Sequence, residues 1–175
     1  SREKISNPKI TIILPKKDEM EEGLIVKDNG IGMSEKELEN CLKAGFSGND
    51  TLDMMGLFGM GSNIAMARLG QVTKIKTSRK DDENWVEVEI DFFKLEKTNI
   101  FKIDPIYIKK TSEEKGQHGT TVTVTKLKED HFKPLFNKHI IRRKIGKTYG
   151  RVLKKYNIEL LYDSESCPPF QHCVW

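Results

Sequence analysis

The chain has 175 residues, which fits one domain with a single hydrophobic core. Its 30 Lys and Arg residues against 26 Asp and Glu residues leave a net charge of +4, which is too mild to demand a nucleic-acid partner. Three cysteines argue against a secreted disulfide framework, and no apolar run approaches the roughly 18 residues of a membrane span, so we expect a cytoplasmic protein with no membrane partner.

The first elements in chain order are two short strands. Residues 10–14 form an apolar, β-branched run that ends at Pro15, and residues 24–26 form a second run after a polar turn. The two runs predict neighbouring strands. A motif with two glycines follows the second run directly, at residues 28–33 (DNGIGM).

A helix is predicted after this motif. Ser34 and Glu37 have the spacing of a capping box, and apolar residues recur at helical spacing until Gly45. Cys41 lies on the apolar stripe, which favours a buried core thiol over a reactive one.

The next segment, residues 44–61, is rich in Gly, Ser, Asn, Asp and Met, which is typical of a mobile lid over a ligand. A short helix is predicted at residues 62–69, with Gly70 just past its end. The motif at residues 56–61 (GLFGMG) lies at the start of this helix, where unpaired amides can hold phosphates. It lacks the Lys-Ser/Thr of a P-loop and the preceding strand of a dinucleotide site.

Alternating apolar residues predict further strands at residues 72–77, 85–90 and 120–125, and a weaker one at residues 106–108. Residues 81–84 form the turn between the first two. The alternation predicts a sheet with one covered face.

Near the C-terminus, apolar residues at spacings of three and four predict an amphipathic helix interrupted by Gly146 and Gly150. Its outer face is predicted to carry Arg142, Arg143, Lys144, Lys147, Arg151, Lys154 and Lys155. This face is either solvated, the interpretation we favour, or a footprint for a phosphate backbone. Cys167, His172 and Cys173 are metal-ligand types, but in no standard zinc spacing.

Three segments suggest a pocket for a purine nucleotide. Asp28 can accept a hydrogen bond from the N6 amino group of adenine, Gly30 and Gly32 leave room for the base, and Met33 offers an apolar contact. The alternative is that residues 28–30 form an ordinary turn. Likewise the hydroxyls of the Gly-Thr-Thr at residues 119–121 can bond a water beside Asp28, or the segment is an ordinary strand start.

The order of these motifs along the chain, and the strands and helices beside which they lie, resemble those of the GHKL superfamily of Bergerat-fold ATPases. The resemblance is nearest to the MutL, MORC and heat-shock-chaperone type. The resemblance implies an α+β fold, a two-layer α/β sandwich with a mixed, mainly antiparallel sheet and helices on one face. It implies an ATP-binding domain over residues 1–163 and a tail at residues 164–175.

The resemblance also implies site roles. Asp28 would hold the adenine N6 group, Gly32 and Thr121 would join the bound water, and Met33 would flank the base. The amides that would cradle the phosphates belong to Phe58, Gly59, Met60, Gly61 and Ser62. The ligand would be ATP or ADP, with Mg²⁺ in the full-length protein.

The chain departs from the family at its start, where members have a helix with a catalytic Glu and a Mg²⁺-binding Asn. Among the first nine residues, Glu3 is the one glutamate and Asn7 is the one asparagine that could fill these roles. Pro8 would break any helix in this segment. We therefore expect either a fragment cut after that helix or a module that binds nucleotide without hydrolysing it. Other hypotheses are a catalytically silent nucleotide sensor and a basic nucleic-acid-binding module acting through residues 142–155. A dimer or an attached downstream domain is a further expected partner.

Overall fold

A computed structural model of the protein describes residues 5–16, 19–42, 61–98 and 104–170, and within them the chain forms one eight-stranded sheet and five α-helices. The strands are β1 (Lys9–Ile13), β2 (Leu24–Asp28), β3 (Gly70–Ser78), β4 (Asn84–Asp91), β5 (Ile106–Lys109), β6 (Gly119–Leu127), β7 (Glu159–Tyr162) and β8 (Glu165–Ser166). The helices are α1 (Glu35–Leu42), α2 (Gly61–Leu69), α3 (Phe92–Thr98), α4 (Glu129–Phe132) and α5 (Lys138–Lys155).

The strands lie in the order β5-β4-β3-β6-β2-β1-β7-β8. Every neighbouring pair is antiparallel except β1 with β7, which is parallel. The predicted pairing of the first two strands is confirmed, because Ile10 lies opposite Asp28 and Ile12 lies opposite Val26. The sheet is therefore mixed and mainly antiparallel.

One face of the sheet carries the hydrophobic core. One cluster joins α1 and α2 to β3, β4 and β6 through residues such as Leu38, Met66 and Val88. A second joins α4 and α5 to β1, β2 and β7, and Leu69 and Leu127 pack against both clusters. The helices thus cover one face, as the alternation of apolar residues predicts, and the α+β sandwich is confirmed.

The capping box at the start of α1 forms as predicted. The Ser34 N–H donates to the Glu37 carboxylate at 2.8 Å, and the Glu37 N–H donates to the Ser34 hydroxyl at 3.4 Å. Cys41 is half-buried, and burial raises the pKa of its thiol. It belongs to neither core cluster, so its predicted position in the core is not confirmed. The predicted end of the helix at Gly45 lies outside the described residues.

Helix α5 runs without interruption through its two glycines, so the predicted interruption is wrong. A Cβ atom added to Gly146 would lie 2.5 Å from the Pro168 carbonyl oxygen, and one added to Gly150 would lie 3.0 Å from the Phe170 nitrogen. The Phe170 N–H also donates to the Gly146 carbonyl at 3.1 Å. The glycines are needed because the chain at residues 168–170 crosses the helix in close contact.

The side chain of Arg142 is not on the outer face of α5, which corrects another prediction. Its Nε donates to the Ser166 carbonyl at 2.9 Å. Cys167 is buried in the second core cluster, and its N–H donates to the Leu160 carbonyl at 2.8 Å. The boundary that we predict after residue 163 stays a prediction. His172 and Cys173 lie outside the described residues.

Candidate functional site

The end of β2 brings a carboxylate next to two threonine hydroxyls from other strands. Asp28 pairs with Thr120 of β6, and Thr120 pairs with Thr77 of β3. Because directly paired residues of antiparallel strands point to the same face, the three side chains form a row across the sheet. Val122 and Ile75 lie two positions along the same strands from Thr120 and Thr77 and pack in the first core cluster. The row therefore lies on the face that the helices cover.

Asp28 is half-buried, and its Oδ1 accepts a hydrogen bond from the Gly30 N–H at 2.7 Å. Burial raises the pKa of its carboxyl group, while hydrogen bonds from the backbone of Gly30 and Thr120 and the charge of His118 act in the opposite direction. The result is a carboxylate poorly hydrated by water and available as a hydrogen-bond acceptor.

Thr77 connects the parts of this site and has no exposed surface. Its hydroxyl accepts from the Met33 N–H at 2.9 Å, donates to the Gly119 carbonyl at 3.1 Å and lies 3.1 Å from the Thr120 hydroxyl. Met33 packs against the first core cluster. Thr77 therefore fixes the loop after β2 against the start of β6.

Two glycines allow the strand ends to meet. Gly32 has a φ of +73°, and a Cβ atom there would lie 1.9 Å from the Ser78 carbonyl oxygen. Gly119 has a φ of +122°, and its Cβ atom would lie 2.2 Å from the Asp28 carbonyl oxygen. The absence of a side chain at Gly32, which the sequence interpretation assigned to the approach of a base, is required by the packing of the protein itself.

The structure separates Thr121 from the other predicted site residues. Thr121 pairs with Lys27 of β2 and Lys76 of β3, so its side chain lies on the helix-free face. Thr120 occupies the position beside Asp28 instead. The sequence showed both hydroxyls in the Gly-Thr-Thr segment, and only the strand register distinguishes them. Thr77 gave no local signal, because it comes from a strand 44 residues after Met33.

The loop before β6 completes the surroundings of Asp28. His118 Nδ1 lies 2.6 Å from the Gly30 carbonyl oxygen. The buried Lys110 donates from Nζ to the carbonyls of Arg79 at 2.9 Å and Gln117 at 2.7 Å, and so holds this loop to the β3–β4 turn.

A cavity of about 490 Å³ reaches Asp28. It is lined by Ile5, Ser6, Lys9, Thr11, Lys27, Asp28, Asn29, Ile31, Lys80, Gly116, Gln117 and His118. Thr77 and Thr120 are not among its lining residues, and Thr11 and Lys27 pair with each other on the helix-free face. The cavity and the row of hydroxyls thus meet at Asp28 from different sides, and the row is the side on which Asp28 lies directly beside the paired Thr120.

The phosphate-binding motif is described only at its last residues. Phe58, Gly59 and Met60 lie outside the described residues, whereas Gly61 and Ser62 form the exposed start of α2. The Asn63 side chain donates to the Leu42 carbonyl at 3.3 Å, which places the start of α2 against the end of α1.

Within the described ranges there is no group of three or more His, Cys, Asp or Glu side chains arranged to hold a metal ion. In the same part of the chain, no helix has the length and apolar character that crossing a membrane requires.

The sequence matches a known protein family. Residues 6–120 match the family model described as histidine kinase-, DNA gyrase B- and HSP90-like ATPase. The matched region covers about two thirds of the chain and contains Asp28, Thr77 and Thr120. No curated protein matches the sequence significantly.

Proposed function

Since the chain belongs to the histidine kinase-, DNA gyrase B- and HSP90-like ATPase family, we propose that it binds an adenine nucleotide at the end of β2, with Asp28 selecting the base. The observation that carries this proposal is the row of Asp28, Thr120 and Thr77 on the helix-covered face. Within the family, we place the chain nearest to the MutL, MORC and heat-shock-chaperone type.

The chemistry of the row fits the edge of adenine. The N6 amino group donates to the Asp28 carboxylate, and the adjacent N1 atom accepts from a water that the Thr120 hydroxyl holds. Guanine presents an acceptor where adenine has the amino donor, so it would face a carboxylate with no hydrogen to share. Met33, whose backbone Thr77 holds, flanks the base with its apolar side chain.

The phosphates are bound at the start of α2, by the backbone amides of Phe58, Gly59, Met60, Gly61 and Ser62. Nucleotide binding orders the lid at residues 44–61 and passes this change to an attached domain or a second subunit. The contact between Asn63 and Leu42 supports this role, because it brings together the two described ends from which the lid departs.

The proposal is for binding, and it includes no catalytic base. Glu3 lies outside the described residues, and the Asn7 carbonyl accepts from the Asn29 side chain at 3.0 Å. Mg²⁺ is expected with the bound nucleotide. The described residues contain no group of three or more His, Cys, Asp or Glu side chains for a metal ion, so no step is assigned to it. A nucleotide sensor without turnover is the second candidate. It would bind ADP and ATP but release no phosphate from ATP even when a helix with a catalytic Glu is joined upstream, whereas an ATPase domain would then turn over.

Calorimetry with ADP tests the proposal. Asp28→Asn keeps the size of the side chain but removes a charge-assisted hydrogen bond worth about 1–3 kcal/mol, so ADP affinity should fall by about five- to 150-fold. Asp130→Asn, at an exposed position of α4, is the control with the same change of charge and should bind like the wild type. Equal affinity of the wild type and Asp28→Asn would remove Asp28 from this role.

A further inference from the structure

Helix α5 concentrates the positive charge of the chain. Its 18 residues include eight Lys and Arg residues and no Asp or Glu. The remainder of the chain carries 22 basic and 26 acidic residues, so without α5 the protein would be net negative. The mild net charge of the whole sequence therefore hides a strongly asymmetric distribution.

Six of these eight side chains form a continuous exposed surface. Arg142 is bonded to the Ser166 carbonyl and Lys138 is paired with Asp163, and both are directed toward the C-terminal strands. The remaining six are exposed and make up what we call the basic stripe: Arg143, Lys144, Lys147, Arg151, Lys154 and Lys155. At 3.6 residues per turn they fall within a sector of about 120° and extend over about 18 Å.

The charges of the basic stripe are not neutralised within the described parts of the chain. None of the ion pairs found there involves any of the six residues. Lys147 lies 5.1 Å from the centroid of the Phe170 ring and Lys155 lies 5.2 Å from that of Tyr156, contacts that orient the ammonium groups and leave their charges in place.

We infer that the basic stripe binds the phosphate backbone of double-stranded DNA, independently of the nucleotide site. A rigid row of cations matches the regular, dense negative charge of a duplex. The major groove of B-form DNA, about 12 Å wide, also lets the exposed side of a helix approach phosphates on both flanks. The basic stripe extends from Arg143 on one flank to Lys155 on the other.

Two other polyanions fit less well. Single-stranded nucleic acid is usually held by aromatic side chains that stack on the bases. The exposed rings beside the basic stripe, Phe170 and Tyr156, each have a lysine of the stripe over them, so one face of each ring is already occupied. A membrane-surface helix inserts its apolar side into the lipid, but the apolar side of α5 is occupied by the protein core, where Leu153 is 4% exposed.

Fluorescence anisotropy with a labelled duplex of about 30 base pairs, at roughly 50 to 200 mM salt, tests the inference. The wild type should bind with an affinity that falls steeply with salt, with a log–log slope approaching about −5 if all six residues contact phosphates. The triple variant Arg143→Gln, Arg151→Gln, Lys154→Gln should bind at least about tenfold more weakly, with a slope reduced by about 3.

The matched control replaces three exposed lysines elsewhere, Lys36→Gln, Lys94→Gln and Lys115→Gln, and changes the net charge equally. This control should keep most of the affinity and slope of the wild type. Single variants Arg143→Gln and Lys154→Gln, each expected to lower the slope by about 1, give a second measurement if the triple variant folds poorly.

Three results would overturn the inference: equal weakening by both triple variants, no duplex binding by the wild type at the lowest salt, or binding to single-stranded DNA or anionic vesicles in preference to the duplex. ADP calorimetry on the triple variant separates this inference from the proposed function. The variant should bind ADP like the wild type, because the basic stripe and Asp28 lie on different elements.

Discussion

The hydroxyl oxygens of Thr77 and Thr120 lie 3.1 Å apart, although 43 positions separate the two residues in the sequence. Thr77 also accepts from the Met33 N–H and donates to the Gly119 carbonyl. One buried hydroxyl therefore connects the loop after β2, the end of β3 and the start of β6. A site assembled in this way depends on the strand register as much as on the motif that contains Asp28.

The first prediction separates the two adjacent threonines of β6. Thr120→Val keeps the shape of the side chain and removes the hydroxyl proposed to hold the water beside adenine. A hydrogen bond is worth about 0.5–1.5 kcal/mol, so calorimetry should show ADP affinity lower by about two- to tenfold. Thr121→Val, on the opposite face of the sheet, should leave the affinity unchanged. The reverse pattern would return the role to Thr121.

The second prediction concerns the close approach at Gly32. Gly32→Ala should destabilise the protein by more than about 2 kcal/mol, because its φ of +73° strains an alanine and the new Cβ atom would lie 1.9 Å from the Ser78 carbonyl oxygen. Gly116→Ala is a matched control with a φ of +75° and no atom within 4 Å, so it carries the strain alone, about 1 kcal/mol. Urea unfolding measures both. Equal losses would show that the contact with Ser78 relaxes without cost.

The sequence is sufficient to predict the strands with clear alternation. In β4, Val86, Val88 and Ile90 alternate with charged residues, and the structure buries all three. Strands β7 and β8 have four and two residues, too few for a periodic pattern to appear. Helix α3 was not predicted, although Asp91 is a residue type typical of a helix N-cap. Its side chain accepts from the N–H groups of Phe93 and Lys94 at the helix start.

The candidate site shows the same division between local and distant information. A carboxylate followed by two glycines is a local pattern, so Asp28 and Gly32 could be found in the sequence. Whether Thr120 or Thr121 faces Asp28 depends on the register between β2 and β6, which a single sequence does not contain. Similarly, Gly146 considered alone suggests a break in the helix. Its role in packing is seen only in the structure, where the chain at residue 168 crosses the helix at this glycine.

The third prediction tests this crossing. Gly146→Ala improves helix propensity by about 1 kcal/mol, but its Cβ atom would lie 2.5 Å from the Pro168 carbonyl oxygen. We expect a net loss of stability of about 1–3 kcal/mol in thermal unfolding and faster amide exchange at Phe170, whose N–H donates to Gly146. Thr148→Ala, exposed on the same helix, should be neutral or stabilising. Stabilisation by both substitutions would contradict the close contact.

The fourth prediction concerns stability and pH at Asp28. Burial raises the pKa of this carboxyl above its ordinary value of 3.8, so the folded state favours its protonated form. Stability from this group is fully present below pH 3.8 and is lost as the pH rises through the raised pKa. As the pH falls from 7 toward 4, the wild type should therefore gain stability relative to Asp28→Asn, which has no such proton. A difference between their unfolding free energies that stays constant over this range would show that the pKa is not raised.

The same titration should act on binding in the opposite direction. Protonation of Asp28 turns one of its acceptor oxygens into a hydrogen-bond donor. Because the adenine N6 amino group is itself a donor, it loses an acceptor on Asp28. ADP affinity should therefore decline as the pH falls through the raised pKa of Asp28. The nucleotide phosphates also titrate in this range, so the comparison is with Asp28→Asn, in which only the phosphate contribution remains. Calorimetry between about pH 4 and 7 should show a steeper decline for the wild type than for the variant. Parallel curves of affinity against pH for the two proteins would mean that the carboxylate does not contact the base. A steeper decline for the wild type would show that the buried carboxylate, whose pKa is raised by its burial, is the group that holds the nucleotide.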